Sequence, residues 1–275
     1  MDINIKLIRP LIRAALKEDI GSGDITSNAT VGKNKIAKAV IRAKQDGVIA
    51  GLDVASAVFK QIDPKIIFHK TAKDGELVRS GRIIAVVRGR ARSLLAGERT
   101  ALNFITRMSG IATAARAFSS RTSRYKVKIL DTRKTTPGMR YLEKYAVRTG
   151  GGTNHRMGLY DMFLIKENHI KACGGITRAV KLARKPGIKT EVEVRNLDEF
   201  REALKTRADW IMLDNFNLAD IKKAIKINAR KKKIEISGGV NFQNVEEIAK
   251  LKPDFISVGS LTHSFRSLDI SMKIV

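Results

Sequence analysis

Leu7, Ile8, Leu11, Ile12, Ala15 and Leu16 recur at the spacing of one helical face. This predicts an amphipathic helix that ends before the glycine-rich stretch Glu18-Asp-Ile-Gly-Ser-Gly-Asp-Ile-Thr26. Short β-like runs come next at Ile36–Ala43, Val48–Ala50, Ile66–Lys70 and Ile83–Val87, separated by the turn pairs Asp46-Gly47, Asp74-Gly75 and Ser80-Gly81. Between them, Asp53 is placed to cap a helix carrying Val54, Ala57 and Val58. A long amphipathic helix is predicted through Leu94, Leu95, Glu98, Leu102, Ile105 and Met108, breaking near Gly110. The first part of the chain thus reads as an α+β unit with a mainly antiparallel sheet.

The rhythm then changes. Apolar runs at Val127–Leu130, Phe163–Ile165, Glu191–Val194, Trp210–Leu213, Ile234–Ile236 and Phe255–Val258 alternate with helical stretches, as in parallel βαβ units. Six units are too few for a full eight-stranded barrel, so either a shortened α/β barrel or an open doubly wound sheet satisfies the pattern. The residues at the carboxyl end of each run decide between them: Asp131-Thr-Arg133-Lys134, Lys166-Glu-Asn-His169, Glu193, Asp214-Asn215, Ser237-Gly-Gly239 and Gly259-Ser260. Every strand ends in polar or charged groups. They would converge on one rim if the sheet closes, whereas an open sheet gathers its ligand groups at a switch point. The shortened barrel fits better.

At 275 residues the chain is long for one domain and comfortable for two. Its 53 Lys+Arg against 27 Asp+Glu give a formal charge of +26, which asks for an anionic partner without naming one. Nucleic acid is disfavoured, because aromatics are only 5%, the cations are dispersed, and no nucleic-acid-binding motif is present. The densest basic run, Lys222 to Lys233, reads as a solvated helix face and loop. A single cysteine, Cys173, excludes an internal disulfide framework and a multi-cysteine zinc cluster. With no apolar run near membrane-spanning length and no secretory signal at the start, a soluble protein of a reducing cytoplasm is expected.

The candidate chemistry is anion recognition. Arg133 and Lys134 stand at a strand end before a Pro-Gly turn, and Gly150-Gly-Gly-Thr-Asn-His-Arg156 adds a second cationic cluster on a glycine-rich loop. Consecutive glycines let backbone amides cradle an anion, and an arginine can grip a carboxylate with two parallel bonds. Lys166 adds a further cation, so the set describes a pocket for a small polyanion. Ser237-Gly-Gly239 and Val258-Gly-Ser260 close the last two strands, where α/β barrels commonly hold phosphate. No Walker A or GxGxxG run occurs. Glu193 and Asp214, ending neighbouring strands, can balance charge or hold Mg²⁺ together with substrate phosphates. Glu191 shares the pleat face of Glu193, and rim position favours Glu193. His155 sits among the cations, His69 reads as structural, and His169 and His263 lie near the rim with roles open.

These segments in this order resemble the quinolinate phosphoribosyltransferases. The matching stretches are Glu18–Ser27, Gly97-Glu-Arg-Thr-Ala-Leu-Asn103, Asp131–Arg140, Gly150–Arg156, Leu164–His169, Glu191–Val194, Met212–Phe216, Ser237–Gly239 and Ser257–Ser264. The resemblance implies an N-terminal α+β open-faced sandwich over 1–107, to which the end of the chain, 265–275, returns, and a six- or seven-stranded α/β barrel over 108–264. It implies transfer of phosphoribosyl from 5-phosphoribosyl 1-pyrophosphate to quinolinate with decarboxylation. Arg99, entering the pocket of a partner in a homodimer, would join Arg133, His155, Arg156 and Lys166 on quinolinate. Lys134, Glu193, Asp214, Ser237, Gly238, Gly239, Gly259 and Ser260 would hold the phosphoribosyl pyrophosphate, with Glu193 and Asp214 on Mg²⁺ and with Lys134, Lys166, Glu193 and Asp214 at the reacting centre. No nucleic-acid or membrane partner is expected. A molybdenum-transport-associated homologue and nicotinate phosphoribosyltransferase share this fold. A Schiff-base aldolase using Lys166 and a basic nucleic-acid-binding protein are the rival readings.

Overall fold

The first apolar stripe forms helix α1 (Ile5–Ile20), which buries Ile8, Ile12 and Leu16 and is capped by Asn4, whose side chain accepts the Lys6 N–H. Asp24 caps α2 (Ile25–Thr30), its carboxylate accepting the Ser27 N–H at 2.9 Å. The structure, a computed structural model, describes residues 3–275. The chain divides into two compact units, Met1–Arg116 with Pro137–Gly151 and Phe265–Val275, and Ala117–Thr136 with Gly152–Ser264. No helix among the described residues is long and apolar enough to cross a membrane.

In the first unit, strands β1 (Ile36–Ala43), β3 (Ile67–Lys70) and β5 (Ile83–Arg90) join the last strand, β12 (Ile270–Ile274), in a sheet of order β12-β1-β5-β3. Every pairing is antiparallel. β2 (Gly47–Val48) and β4 (Leu77–Val78) form a separate short pair, so the run expected at Val48–Ala50 is mostly not strand. Ala39, Ile41, Ala43, Ala85 and Val87 are buried on one sheet face, as are Leu52, Val54, Ala55, Val58 and Phe59 of α3 (Leu52–Ile62).

The expected break near Gly110 does not occur: α4 runs unbroken from Ala91 to Thr122. A glycine costs an exposed helix about 1 kcal/mol. Here, however, a Cβ at Gly110 would collide with the backbone of Arg266 and Ser267. The residue permits close approach and does not end the helix. Helix α5 (Arg140–Thr149), not anticipated above, belongs to this unit. Its Tyr145 hydroxyl donates to Asp74 Oδ2 at 2.8 Å, while the same carboxylate accepts the N–H groups of Gly51 and Leu52 at the start of α3.

The second unit is built on six parallel strands, β6 (Lys128–Leu130), β7 (Phe163–Ile165), β8 (Thr190–Val194), β9 (Trp210–Asp214), β10 (Lys233–Ser237) and β11 (Phe255–Ser257), in the order β6-β11-β10-β9-β8-β7. The pairings are parallel throughout. Between the strands come helices such as α8 (Leu197–Leu204) and α9 (Leu218–Asn228), capped by Asn196 and Asn217. Thr153 makes a parallel bridge to Leu130 at the outer edge of β6, while His155, two residues on, touches Glu191 of β8. The sheet must therefore curl round on itself to bring those edges together, giving the shortened barrel. One pleat set, including Val192, Val194, Ile211, Leu213, Ile234 and Ile236, is buried and apolar. The other points inward and is layered. Trp210 and Phe255 stack at 4.3 Å, the carboxyl groups of Glu191 and Glu235 stand above them, and Glu193, Asp214 and Ser237 reach the strand ends.

The shared Asp74 carboxylate ties α5 to the start of α3. Tyr145→Phe removes one bond from it and should lower stability by about 1 kcal/mol. Urea unfolding checks this: the midpoint falls with unchanged slope, and an unshifted midpoint contradicts the assigned bond.

Candidate active site

The inward-pointing strand ends open into a cavity of about 770 Å³, the size of a small-molecule site. It is lined by Arg133 and Lys134 after β6, by His155 and Arg156 from the glycine-rich loop, and by Lys166 after β7. Glu193, Asp214, Ser237, Gly238, Gly239, Gly259 and Ser260 complete it. Every expected site residue but one thus meets in a single cup. Arg99 lies in the other unit, exposed on α4.

Backbone bonds hold the cationic loop in place. Asp131, wholly buried, accepts the His155 N–H at 2.9 Å and the Asn154 side-chain amide at 2.5 Å. The Thr153 N–H donates to Ile129 O at 2.8 Å, docking the loop against β6. Arg156 spends one guanidinium N–H on the Met162 carbonyl at 3.2 Å. Burial and the charge of Arg133 both work against the charge on Arg156 and lower its pKa, which nearby Asp161 and Glu191 only partly offset. Two guanidinium groups near enough to oppose each other favour an anion between them.

On the opposite wall, Lys166 Nζ pairs with Glu193 Oε2. Asp214 Oδ2 accepts the Asn215 side-chain amide at 2.9 Å. Gly238 and Gly239 have φ of 86° and 61°, the left-handed region that favours glycine. A Cβ on Gly238 would also strike Asn215, so the β9 and β10 ends approach closely because that position lacks a side chain. The Lys134 carbonyl accepts the Thr262 hydroxyl at 2.7 Å, linking the loop after β6 to α11 (Ser260–His263).

The histidines separate by position. His69 is exposed on β3. His169 Nδ1 accepts the Lys166 N–H at 2.9 Å at the start of α6 (Glu167–Cys173), a capping role. His263 lines the cavity. His155 lies with Glu191 and Glu235, both wholly buried. Burial disfavours a charged imidazole, while the contacts with Glu191 and Glu235 and their charges favour it and raise the His155 pKa. Burial, then the charge of Glu235, raises that of Glu191 to about 8. Sequence reasoning set Glu191 aside for its neighbour Glu193 and passed over Glu235. The available signal was an acidic residue in the middle of each of two buried strands.

Fold and site together define an α/β barrel whose strand ends gather cations, carboxylates and glycine turns in one cavity. Residues 24–109 match the family described as "Quinolinate phosphoribosyl transferase, N-terminal domain", and residues 111–273 match its C-terminal domain. The chain belongs to the quinolinate phosphoribosyltransferase family. A Bacillus subtilis protein described as "Probable nicotinate-nucleotide pyrophosphorylase (carboxylating)" is 43% identical over 272 residues, covering 97% of this chain and 93% of that protein. The crystal structure of NadC from Streptococcus pyogenes superposes with a TM-score of 0.96 at 41% identity, covering 100% of this chain and 99% of that one. The nicotinate-nucleotide pyrophosphorylase of Francisella tularensis gives 0.96 at 40% identity, covering 100% and 98%.

Gly238→Ala should cost roughly 1–2 kcal/mol through its left-handed backbone, before the clash with Asn215 is counted. We expect a lower unfolding midpoint together with about tenfold weaker binding of phosphoribosyl pyrophosphate, read by calorimetry. Unchanged binding would remove this loop from the phosphate site.

Proposed function

We propose that this chain transfers the phosphoribosyl group of 5-phosphoribosyl 1-pyrophosphate to quinolinate, with decarboxylation, giving nicotinate mononucleotide, pyrophosphate and CO₂. One observation carries the reading. The cationic cluster of Arg133, Arg156 and Lys166 shares a single cavity with the glycine-lined ends of the last strands. A ring with two carboxylates suits the first wall and a sugar 5-phosphate the second, so that Ser237, Gly238, Gly239, Gly259 and Ser260 hold the phosphate. Arg133, Arg156 and Lys166 grip the carboxylates, with His155 in the wall behind them. Lys134 and Lys166 stand where the two substrates meet.

The quinolinate nitrogen supplies its lone pair to ribose C1, and the C1–O bond to pyrophosphate breaks with its electron pair leaving on oxygen. Fixed cations need no reorganisation to stabilise that charge, which lowers the barrier. The C2–carboxylate bond then breaks. Its electron pair stays on C2 beside the new pyridinium nitrogen, CO₂ departs, and C2 takes a proton from solvent. Lys166, held by Glu193, is positioned to steady the carboxylate before it leaves.

Glu193 and Asp214 fit Mg²⁺. Both are hard oxygen donors ending adjacent strands in the cavity, and this ion usually takes one or two carboxylates plus substrate phosphates. When bound it would neutralise charge on the departing pyrophosphate. Arg99 enters the reading from a second copy of the chain. It is exposed on α4, and the apolar stripe of that helix does not need it. A homodimer is therefore part of the proposal. The cytoplasmic assignment rests on the sequence alone.

Incubating the protein with quinolinate, phosphoribosyl pyrophosphate and Mg²⁺ should yield nicotinate mononucleotide and CO₂, and nicotinate should not replace quinolinate. Product from nicotinate alone would overturn the assignment. For the dimer, mixing Arg99→Ala chains with Lys134→Ala chains should restore activity that neither has alone, because each mixed dimer keeps one intact site. No recovery would place Arg99 at its own subunit's site or at none.

A further inference from the structure

His155 borders the cavity, yet the protein engages both of its ring nitrogens. Nε2 lies 2.9 Å from Glu191 Oε2 and 3.4 Å from Glu235 Oε2. Nδ1 accepts the Arg156 backbone N–H at 2.7 Å. A nitrogen that accepts an N–H carries no proton, so the ring proton belongs on Nε2, aimed into the barrel at Glu191. The two carboxyl groups favour a second ring proton, which Nδ1 could take only by breaking the Arg156 contact. Beneath the ring, the Ser257 hydroxyl donates to Glu235 Oε1 at 2.6 Å, and Trp210 meets the imidazole edge-on at 6.2 Å.

We propose that Glu191 and His155 form a positioning relay that fixes the Arg156 backbone and so aims its guanidinium at a substrate carboxylate. Glu235 and Ser257 steady its base. The inference rests on the reading of Arg156 as a quinolinate ligand. It gives His155 a different task from the direct substrate contact expected from the sequence. Glu191 and Glu235 are wholly buried, and Glu191 Oε1 and Glu235 Oε2 have no hydrogen-bond partner. Such a pair weakens a core that apolar residues could fill, so its role is sought in orientation. Loss of the relay lets the loop drift, and a misplacement of about 1 Å can cost on the order of a hundredfold.

Calorimetric quinolinate binding and steady-state kinetics of the full-length protein test this. Glu191→Leu should weaken quinolinate binding about tenfold or more, with the KM for phosphoribosyl pyrophosphate changed less than about threefold. Glu191→Gln keeps an acceptor for Nε2–H and should recover most of the loss. The double variant Glu191→Leu/His155→Ala should bind no worse than the weaker single variant, within about threefold, because both act through one element. Multiplying losses, equal damage to both substrates, or a Gln variant as poor as Leu would each overturn the relay. If the Leu variant does not fold, ¹⁵N-histidine spectra of the wild-type protein decide. A His155 proton on Nε2 with Nδ1 an acceptor supports the relay, and a proton on Nδ1 refutes it. Wild-type protein that binds no quinolinate would refute the proposed function instead, and the spectra would still judge the relay.

Discussion

Arg133 and Arg156 bring like charges into one cavity, and the charge on Arg156 is opposed both by burial and by its neighbour. Both residues line one cavity, where like charges favour a bound anion. Buried Asp131 clamps the loop that carries Asn154, His155 and Arg156, and Thr153 docks that loop against β6. The second unit is the frame that carries this loop and the strand ends lining the cavity.

The frame works because the inward column of the barrel is not a uniform apolar plug. The Trp210–Phe255 stack supplies the packed floor. The middle layer holds the Glu191, Glu235 and His155 cluster, and the upper layer carries Lys166, Glu193, Asp214 and the glycine turns. Asp131 and Glu191 contact His155 in the glycine-rich loop, and Arg156 beside it lines the cavity. Parallel strands direct all their carboxyl ends to one side, so no long excursion of the chain is needed to assemble the set.

Much of this was legible in the sequence. The barrel strands fall within a residue or two of the apolar runs, because strands buried under helices read as near-continuous hydrophobic segments. The gathering of these residues in one cavity was legible too, since a barrel sends the residues after each strand to the same rim. Features that escaped detection depended on contacts distant in sequence. Gly110 looked like a helix end until the backbone at Arg266 explained its lack of a side chain. Helix α5 joins the first unit through Tyr145 and Asp74, residues far apart in the chain. Glu191 and Glu235 hide inside apolar runs, and only the curl of the sheet brings them to His155. A two-residue period shows which face a side chain takes but not how deep in the barrel it lies.

The central claim is that opposed arginines recognise a dicarboxylate. Isothermal titration of quinolinate into wild-type, Arg133→Ala and Arg156→Ala protein tests it most directly. Each loss of a charge-assisted pair is expected to cost about 1.5–3 kcal/mol, weakening binding roughly ten- to a hundredfold. Quinolinate affinity unchanged in both variants would contradict the account.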